Sequence, residues 1–335
     1  MKKILVFLPN WIGDSLMATP FLRSLKENNP HCWVGILIHR RVEEIFISSP
    51  FVDEIITFSS HRDLLSNLRI TRKISGEEFD TAFLLKPSLT KSLMCKLARI
   101  KDIYGYESKK FTFINRKIPL PSQSTHKMDY YLNLIESIGL KVSKKEPDFF
   151  LLPQEVERVD SILPSSILNS KLKVILHPKA NWTLKMWPKE YFAQLGDKLI
   201  EELGASVIIT GTKEDLGLAL QIEKLMKNKP YLLAGKTNLR ELGAVLKRVD
   251  LFISADTGIM HLAASVNTPL IAMFGPTHPS ITGPRGKGLI RIIYKNKECE
   301  VPCLRLSCRN NICMKSISPE EVFREAREIL QCLKG

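Results

Sequence analysis

The strongest constraint on the fold is a regular alternation of short apolar runs and amphipathic stretches, which occurs twice along the 335 residues. Residues 4–8 form a continuous apolar run, typical of a parallel strand that is covered on both faces. Residues 15–28 follow with apolar side chains at helical spacing. Strand and helix signals then alternate to about residue 138, which predicts parallel βαβ units.

Residues 140–172 interrupt this rhythm with prolines and polar turn residues, and the alternation restarts at residue 173. We therefore predict an α/β fold with two Rossmann-like domains that face a cleft. The predicted parts are an N-terminal domain over 1–155, a linker over 156–172, a C-terminal domain over 173–318 and a closing helix over 319–335. Because ligands of open α/β sheets bind beyond the carboxyl ends of the strands, functional residues should follow strands directly.

The net charge is +14, which suggests an anionic partner such as a nucleic acid, a nucleotide or an acidic membrane surface. Residues 86–117 carry nine Lys or Arg and only two acidic residues, so this basic segment predicts an anion-binding surface, with a solvated basic face as the alternative. No apolar run reaches the roughly 18–20 residues that a membrane span needs. The first ten residues do not have the pattern of a signal peptide, and we expect a cytoplasmic protein.

The first predicted strand leads into a turn that contains Gly13 and Asp14. Glycine permits a tight turn or close approach of a ligand. Asp14 is either the cap of the next helix or a carboxylate that faces the cleft. The segment lacks the Gly-x-Gly-x-x-Gly pattern of a dinucleotide site, which argues against a simple dehydrogenase.

The second half contains the residues best suited to bind phosphate. Lys179 and Lys185 lie in a loop between a strand and a helix, where a lysine adds its charge to the helix dipole. Further along, Thr257 and Gly258 open a helix whose backbone N–H groups can meet a phosphate oxygen. His261 in the first turn is either a ligand-binding residue or a core histidine.

Several familiar catalytic patterns are absent from the sequence: the Ser-His-Asp elbow, the P-loop and the Asp-x-Asp that chelates a metal diphosphate. The charge of a departing diphosphate would then have to be met by lysine and backbone N–H groups. Four cysteines cluster with a spacing that is not a standard zinc pattern, and a reduced or partly bridged structural loop is favoured over a metal site. They are Cys299, Cys303, Cys308 and Cys313.

A set of short motifs occurs in a fixed order along nearly the whole chain. They are Asn-Trp-Ile-Gly-Asp at 10–14, Phe-Asp at 79–80, Lys-Pro-Ser at 86–88, Lys-Met-Trp-Pro at 185–188, Gly-Thr-Lys-Glu-Asp at 211–215, Leu-Ala-Gly-Lys-Thr at 233–237, Asp-Thr-Gly-Ile-Met-His-Leu-Ala-Ala at 256–264 and Phe-Gly-Pro-Thr at 274–277. In this order the sequence resembles the ADP-heptose:lipopolysaccharide heptosyltransferases of glycosyltransferase family 9, most of all the heptosyltransferase II branch.

The resemblance implies a glycosyltransferase B-type fold and an inverting transfer that requires no metal and no cofactor. It implies that Asp14 is the general base and that the C-terminal domain holds ADP-heptose. The donor-binding residues that it implies are Asn181, Lys185, Glu214, Thr237, Asp256, Thr257, Gly258 and His261. For the acceptor it points to Gly13, Lys86, Ser88, Lys91, Lys109 and Lys110.

The implied partners are ADP-heptose and Kdo-lipid A or heptosyl-Kdo-lipid A, and the implied place is the inner face of the inner membrane as a peripheral protein. The basic segment 86–117 would dock the anionic, membrane-anchored acceptor. Two alternatives remain: heptosyltransferase I or a transferase that uses another nucleotide sugar, and a non-catalytic nucleotide- or RNA-binding protein. We expect no nucleic-acid partner, because no nucleic-acid motif is present.

Overall fold

The computed structural model describes residues 1–59, 64–108, 113–296, 299, 301, 303, 308 and 310–333. The chain divides into two compact units, Met1–Phe150 and a second that begins at Leu151. The elements of the first unit are β1 (Lys3–Phe7), α1 (Ile12–Met17), α2 (Thr19–Asn28), β2 (Trp33–His39), a 3-10 helix (Arg40–Ile45), β3 (Glu54–Phe58), α3 (Leu64–Gly76), β4 (Thr81–Leu84), α4 (Leu89–Leu97), β5 (Asp102–Tyr106), β6 (Arg116–Ile118) and α5 (Lys127–Glu136).

The second unit opens with three short helices and then repeats the α/β alternation. Its elements are α6 (Pro153–Glu157), α7 (Val159–Ile162), α8 (Ser165–Leu168), β7 (Lys173–His177), a 3-10 helix (Thr183–Lys185), α9 (Lys189–Leu203), β8 (Ser206–Ile209), a 3-10 helix (Lys213–Asp215), α10 (Leu216–Leu225), β9 (Tyr231–Leu232), α11 (Leu239–Leu246), β10 (Leu251–Ala255), α12 (Gly258–Ser265), β11 (Leu270–Phe274), α13 (Pro279–Thr282), β12 (Ile290–Tyr294), α14 (Ile312–Lys315) and α15 (Pro319–Cys332).

Each unit is built on one parallel sheet, and the two sheets have the same topology. Among the described residues the first sheet has the strand order β3-β2-β1-β4-β5-β6 and the second β9-β8-β7-β10-β11-β12. Both are the 3-2-1-4-5-6 order of the Rossmann fold, with the change of direction between β1 and β4 and between β7 and β10. The predicted α/β class with two Rossmann-like domains is confirmed.

The central strands are apolar along their whole length because helices cover both faces of each sheet. Residues 4–7 of β1 are fully buried, and so are the side chains of β4 and β10. The first unit's core includes Phe7, Leu84 and Ile103 from three neighbouring strands. In the second unit, α9 and α15 pack together over a core that contains Leu176, Ile253 and Phe192.

The single helix predicted over residues 15–28 is wrong, since the structure has two helices there. Ala18 separates α1 from α2, and Pro20 stands in the first turn of α2. Proline has no N–H to donate, so a continuous helical ladder cannot pass through it. Because α1 begins at Ile12, Asp14 lies in its first turn and the N-cap position belongs to Trp11. The interpretation of Asp14 as a helix cap is therefore wrong.

The sequence patterns missed several elements that are short or rich in polar residues. The basic segment 86–117 contains β5 and β6, whose apolar positions are too few to give a strand signal. The predicted linker over 156–172 is not an extended connection, because α7 and α8 lie within it and it belongs to the second unit. Its single proline, Pro164, is the N-cap of α8, where a missing N–H costs nothing.

Candidate functional site

The loops that follow the strands carry the polar residues singled out in the sequence, as the parallel topology requires. In the second sheet β7 pairs with β10, and β10 pairs with β11. The segments after these three strands therefore leave the sheet at the same edge. They supply Lys185, Asp256 and Thr277, respectively. This edge is where ligands of open α/β sheets bind.

Asp256 is the centre of a compact polar cluster. The ammonium of Lys185 donates to its Oδ2 at 2.6 Å, and the hydroxyl of Thr277 donates to the same oxygen at 2.7 Å. The Asp256 side chain is 6% exposed and that of Lys185 is 21% exposed. An ammonium has three donors, so Lys185 keeps donors for an anion while Asp256 fixes its position. The sequence placed Thr277 in a turn that follows a strand and can line the same site, but it gave this side chain no role of its own.

The N-terminus of α12 follows this cluster directly. Thr257 takes the N-cap position in extended conformation and Gly258 is the first helical residue. The first amides of a helix have no acceptor within it, and they carry the positive end of its dipole. Thr257 and Gly258 thus stand beside the Lys185 ammonium as an anion-binding arrangement. His261 lies in the first turn but is only 2% exposed, so it supports this turn from within the core.

Two neighbouring loops bring Glu214 and Thr237 to the same edge. The amide of Gly235 donates to the carbonyl of Gly211 at 2.9 Å, which ties the loop after β9 to the loop after β8. Gly235 has a φ of 74°, a left-handed conformation that suits glycine. Glu214 is exposed, and Thr237 is half-buried. Asn181 is also exposed, in the loop after β7.

His177 ends β7 next to these loops and is buried. Its Nδ1 lies 3.0 Å from the hydroxyl of Thr210, and its ring stacks on Phe252. Burial lowers the pKa of His177 to about 4, so the ring is neutral at physiological pH. It contributes no positive charge to the site, which leaves anion binding to Lys185 and the helix amides.

Asp14 lies at the corresponding edge of the first sheet, just beyond β1. Its side chain is half-buried, and no ion pair or hydrogen bond from another described residue engages its carboxylate. The nearby phenol of Tyr131 has its pKa raised, first by burial and then by the negative charge of Asp14. A partly accessible carboxylate without a cation is suited to accept a proton from a substrate.

Two exposed side chains of the segments after β1 and β2 were given no role from the sequence, although Trp11 is part of the motif at 10–14. The guanidinium of Arg41 lies over the Trp11 ring, 4.8 Å from its centroid, and both side chains are exposed. Arg41 follows β2, which pairs with β1, so the two loops leave adjacent strands. The signal available in the sequence was the pair Arg40-Arg41 directly after an apolar strand.

The predicted acceptor residues have different surroundings. Lys86 is exposed after β4, and Gly13 is buried in α1. The Ser88 hydroxyl caps α4 by accepting from the amide of Lys91 at 3.2 Å. Lys109 and Lys110 lie outside the described residues.

Lys91 is buried, whereas the sequence placed it on a basic surface. Its side chain reaches the carbonyl of Lys86 at 3.4 Å, and the residue is 6% exposed. Burial, together with the charge of Lys86, lowers the pKa of Lys91 to about 8. A buried ammonium with one long hydrogen bond is costly, because its desolvation is not repaid.

The cysteine cluster adjoins the loops that follow β7 and β11. Cys299, Cys303, Cys308 and Cys313 line a small pocket with Leu184 and Gly275, which adjoin the loops of Lys185 and Thr277. All seven cysteines are free thiols. Within the described ranges, no three His, Cys, Asp or Glu side chains lie where they could share a metal ion.

The family model of glycosyltransferase family 9 (heptosyltransferase) matches residues 67–313. The chain is 26% identical to lipooligosaccharide heptosyltransferase 2 of Campylobacter jejuni, over 98% of each chain. It is 24% identical to lipopolysaccharide heptosyltransferase 3 of Escherichia coli, over 95% of this chain and 96% of that one.

Solved structures share the fold. A glycosyltransferase of family 9 from Veillonella parvula superposes with a TM-score of 0.85 at 22% identity, over 98% of this chain and 97% of the other. The ADP-heptose lipopolysaccharide heptosyltransferase II of Escherichia coli gives a TM-score of 0.83 at 21% identity, over the full length of both. The described helices include none that is long and apolar enough to cross a membrane.

The buried ammonium of Lys91 predicts a stabilising substitution. The folded protein holds this proton less tightly than the unfolded chain does, so the destabilisation is full below about pH 8 and is lost as the pH rises towards 10.5. The difference between 10.5 and about 8 corresponds to about 3 kcal/mol. Lys91→Met should therefore raise the free energy of unfolding by up to about 3 kcal/mol at pH 7, and by about half of that at pH 9.5.

Urea unfolding at the two pH values measures this gain. Lys224→Met, which changes an exposed lysine of α10, is the matched control and should show no such dependence on pH. A gain from Lys91→Met that is the same at both pH values would contradict the assignment.

The shared oxygen of Asp256 predicts a positioning role for Thr277. Thr277→Val removes one hydrogen bond to a buried carboxylate, which is worth about 1.5–3 kcal/mol. We expect affinity for inorganic pyrophosphate to fall roughly tenfold or more, because Asp256 then holds the Lys185 ammonium less firmly. Thr277→Ser keeps the hydroxyl and should restore most of the affinity. Calorimetric titration with pyrophosphate is the measurement, and equal losses in both variants would refute the role.

Proposed function

Since the chain belongs to glycosyltransferase family 9, the heptosyltransferases, we propose that it transfers L-glycero-D-manno-heptose from ADP-heptose to the inner core of lipopolysaccharide, as heptosyltransferase II does. The observation that carries the proposal is the cluster of Lys185, Asp256 and Thr277 at the N-terminus of α12. It offers a fixed ammonium and free amides to a diphosphate at the edge of a Rossmann-like sheet.

The donor half of the reaction needs stabilisation of the leaving ADP. As the bond between the sugar and the diphosphate breaks, negative charge grows on the β-phosphate. Three groups would stabilise that charge: the Lys185 ammonium and the amides of Thr257 and Gly258. The fold orients them before the reaction begins. We propose that Asn181, Glu214 and Thr237 contact the rest of the donor and that the transfer needs no metal ion.

The acceptor half needs a base, and we propose Asp14 for it. A sugar hydroxyl attacks the anomeric carbon from the side opposite the diphosphate, so that the configuration inverts. Its proton passes to the Asp14 carboxylate, which is partly accessible and not neutralised by a cation of the described residues. Gly13 beside it has no side chain to block the approach of the sugar.

The acceptor that we propose, Kdo-lipid A or its heptosylated form, carries carboxylates and phosphates. Lys86 is the exposed cation at the end of β4, next to the strand that leads to Asp14. Ser88 and Lys91 shape this segment through the capped start of α4. We further propose that the protein acts as a peripheral protein at the inner face of the inner membrane, where such an acceptor is anchored.

The base assignment predicts the effect of Asp14→Asn. Release of ADP from ADP-heptose would be measured with heptosyl-Kdo-lipid A as acceptor. We expect kcat to fall at least a hundredfold with donor affinity unchanged, because general base catalysis contributes about 10²–10⁴. Asp160→Asn changes an exposed carboxylate of α7 and serves as the control. A loss of less than tenfold would remove Asp14 from this role.

The same assay separates the branches of the family. Turnover on heptosyl-Kdo-lipid A but not on Kdo-lipid A fits heptosyltransferase II. Turnover on Kdo-lipid A indicates the first-heptose reaction of heptosyltransferase I. If ADP binds but neither acceptor reacts, the proposed sugar donor or acceptor is wrong.

Charge reversal at Lys86 tests the acceptor side. Lys86→Glu should raise the KM for the lipid acceptor about tenfold, since an attractive contact with an anion becomes repulsive. The KM for ADP-heptose should stay the same. Lys224→Glu in α10 is the control for the change in net charge. An unchanged acceptor KM would exclude Lys86 from the acceptor site.

A further inference from the structure

Two neighbouring helices of the first unit expose leucines on the side away from their core. On α4, Leu89, Leu93 and Leu97 follow one another at four-residue spacing and are 52%, 38% and 56% exposed. On α3, Leu65 and Leu68 are 65% and 52% exposed. We call these five side chains the leucine face. Single exposed leucines are ordinary on a protein surface, but five on two packed helices form a patch.

The opposite sides of both helices are already committed to the core. Ile70 and Ile74 of α3 and Met94 and Cys95 of α4 belong to the apolar cluster beneath the sheet's helices. Neither helix can therefore rotate to bury its leucines without exposing these residues. The leucine side chains are therefore either buried against a partner outside the unit or remain exposed to water.

Exposed cations surround the leucine face. Arg69 and Arg72 lie on the same side of α3 as Leu65 and Leu68, and Lys96 adjoins Leu97 on α4. Arg99 and Lys101 follow directly after α4 and are also exposed. No carboxylate of the described residues forms an ion pair with any of these five cations. Apolar side chains among unpaired cations match a surface with acidic headgroups above a hydrocarbon layer.

We propose that the leucine face binds the surface of a bilayer that contains anionic phospholipids. The leucines enter the region between headgroups and acyl chains, and the surrounding Arg and Lys side chains contact lipid phosphates. The inference rests on the proposed function. Leu89 comes one residue after Ser88 and three after Lys86, so the leucine face adjoins the proposed acceptor residues. An acceptor lipid held by that bilayer would have its anionic sugars next to the proposed acceptor residues.

Flotation with lipid vesicles tests the proposal without any sugar substrate. The probes are vesicles of phosphatidylcholine with about 30 mol% phosphatidylglycerol, and vesicles of phosphatidylcholine alone. We expect the full chain to bind the anionic vesicles and to bind neutral vesicles much more weakly. Combined Leu89→Ser, Leu93→Ser and Leu97→Ser should reduce the partition coefficient at least tenfold, since the hydrocarbon contact is lost. Arg72→Gln with Lys96→Gln should reduce it about fivefold per charge.

The second unit offers a matched control. On α10, Leu216 and Leu220 are 37% and 47% exposed, but Glu223 lies on the same side of that helix. Leu216→Ser with Leu220→Ser removes exposed leucines on a helix side where Glu223 offsets the charge of Lys224, and binding should stay as in the unmodified chain. Circular dichroism of each variant verifies that the fold is kept.

Three results would overturn the proposal. They are no binding of the unmodified chain to anionic vesicles, equal binding after the three α4 substitutions, and equal loss in the α10 control. Sedimentation equilibrium covers the other occupant: if the α4 substitutions abolish a dimer while vesicle binding is absent, the leucine face is an interface between copies. Failure of the proposed function is a separate result, because it appears as no ADP release from ADP-heptose.

Discussion

Parallel pairing of the central strands is the constraint on which the rest of this structure depends. β1 pairs with β4 and β7 pairs with β10. In both sheets, the direction in which successive strands are added therefore reverses at this pair. Helices that leave the two central strands go to opposite faces of the sheet, and the space left at that point is where a ligand can approach the backbone. Asp14 follows β1, and Asp256 follows β10. Each unit thus places an aspartate at the point where its strand order reverses.

The two aspartates have different electrostatic surroundings, and their proposed roles follow from the difference. Asp256 is buried, and both Lys185 and Thr277 donate to its Oδ2, so its carboxylate fixes the position of the Lys185 ammonium. No cation of the described residues forms an ion pair with Asp14, so its carboxylate remains available to accept a proton. His177 is neutral because burial lowers its pKa to about 4. It therefore adds no second positive charge at this edge of the sheet, and Lys185 supplies the charge for an anion. Preorganisation of this kind lets a site stabilise a departing anion without rearranging during the reaction.

The sequence was sufficient for the fold class because long apolar strands and periodic helices have strong signals. It was insufficient where a single residue, such as a proline or a charged side chain, interrupts the apolar pattern of a helix or strand. Pro20 divided a helix whose apolar spacing is continuous, and β6 is an edge strand of three residues with two of them charged. For the site, residue order and resemblance indicated Lys185 and Asp256, but the contact of Thr277 with Asp256 depends on how far the loop after β11 reaches. Spacing along the chain carries no such information.

Charge counts alone also misjudged where the basic segment 86–117 is accessible. Of its lysines, Lys91 is buried at a pKa of about 8, while Lys96 and Lys101 are exposed among leucines. A helix sorts its residues by direction, so neighbouring lysines in sequence can have opposite surroundings. α4 begins just after Lys86 and exposes its leucines along the side away from the core. The proposed binding of the acceptor's sugars and the proposed binding of the bilayer therefore use different side chains. The capped start of α4 would bind the polar part of the acceptor, and its outer face would bind the lipid surface.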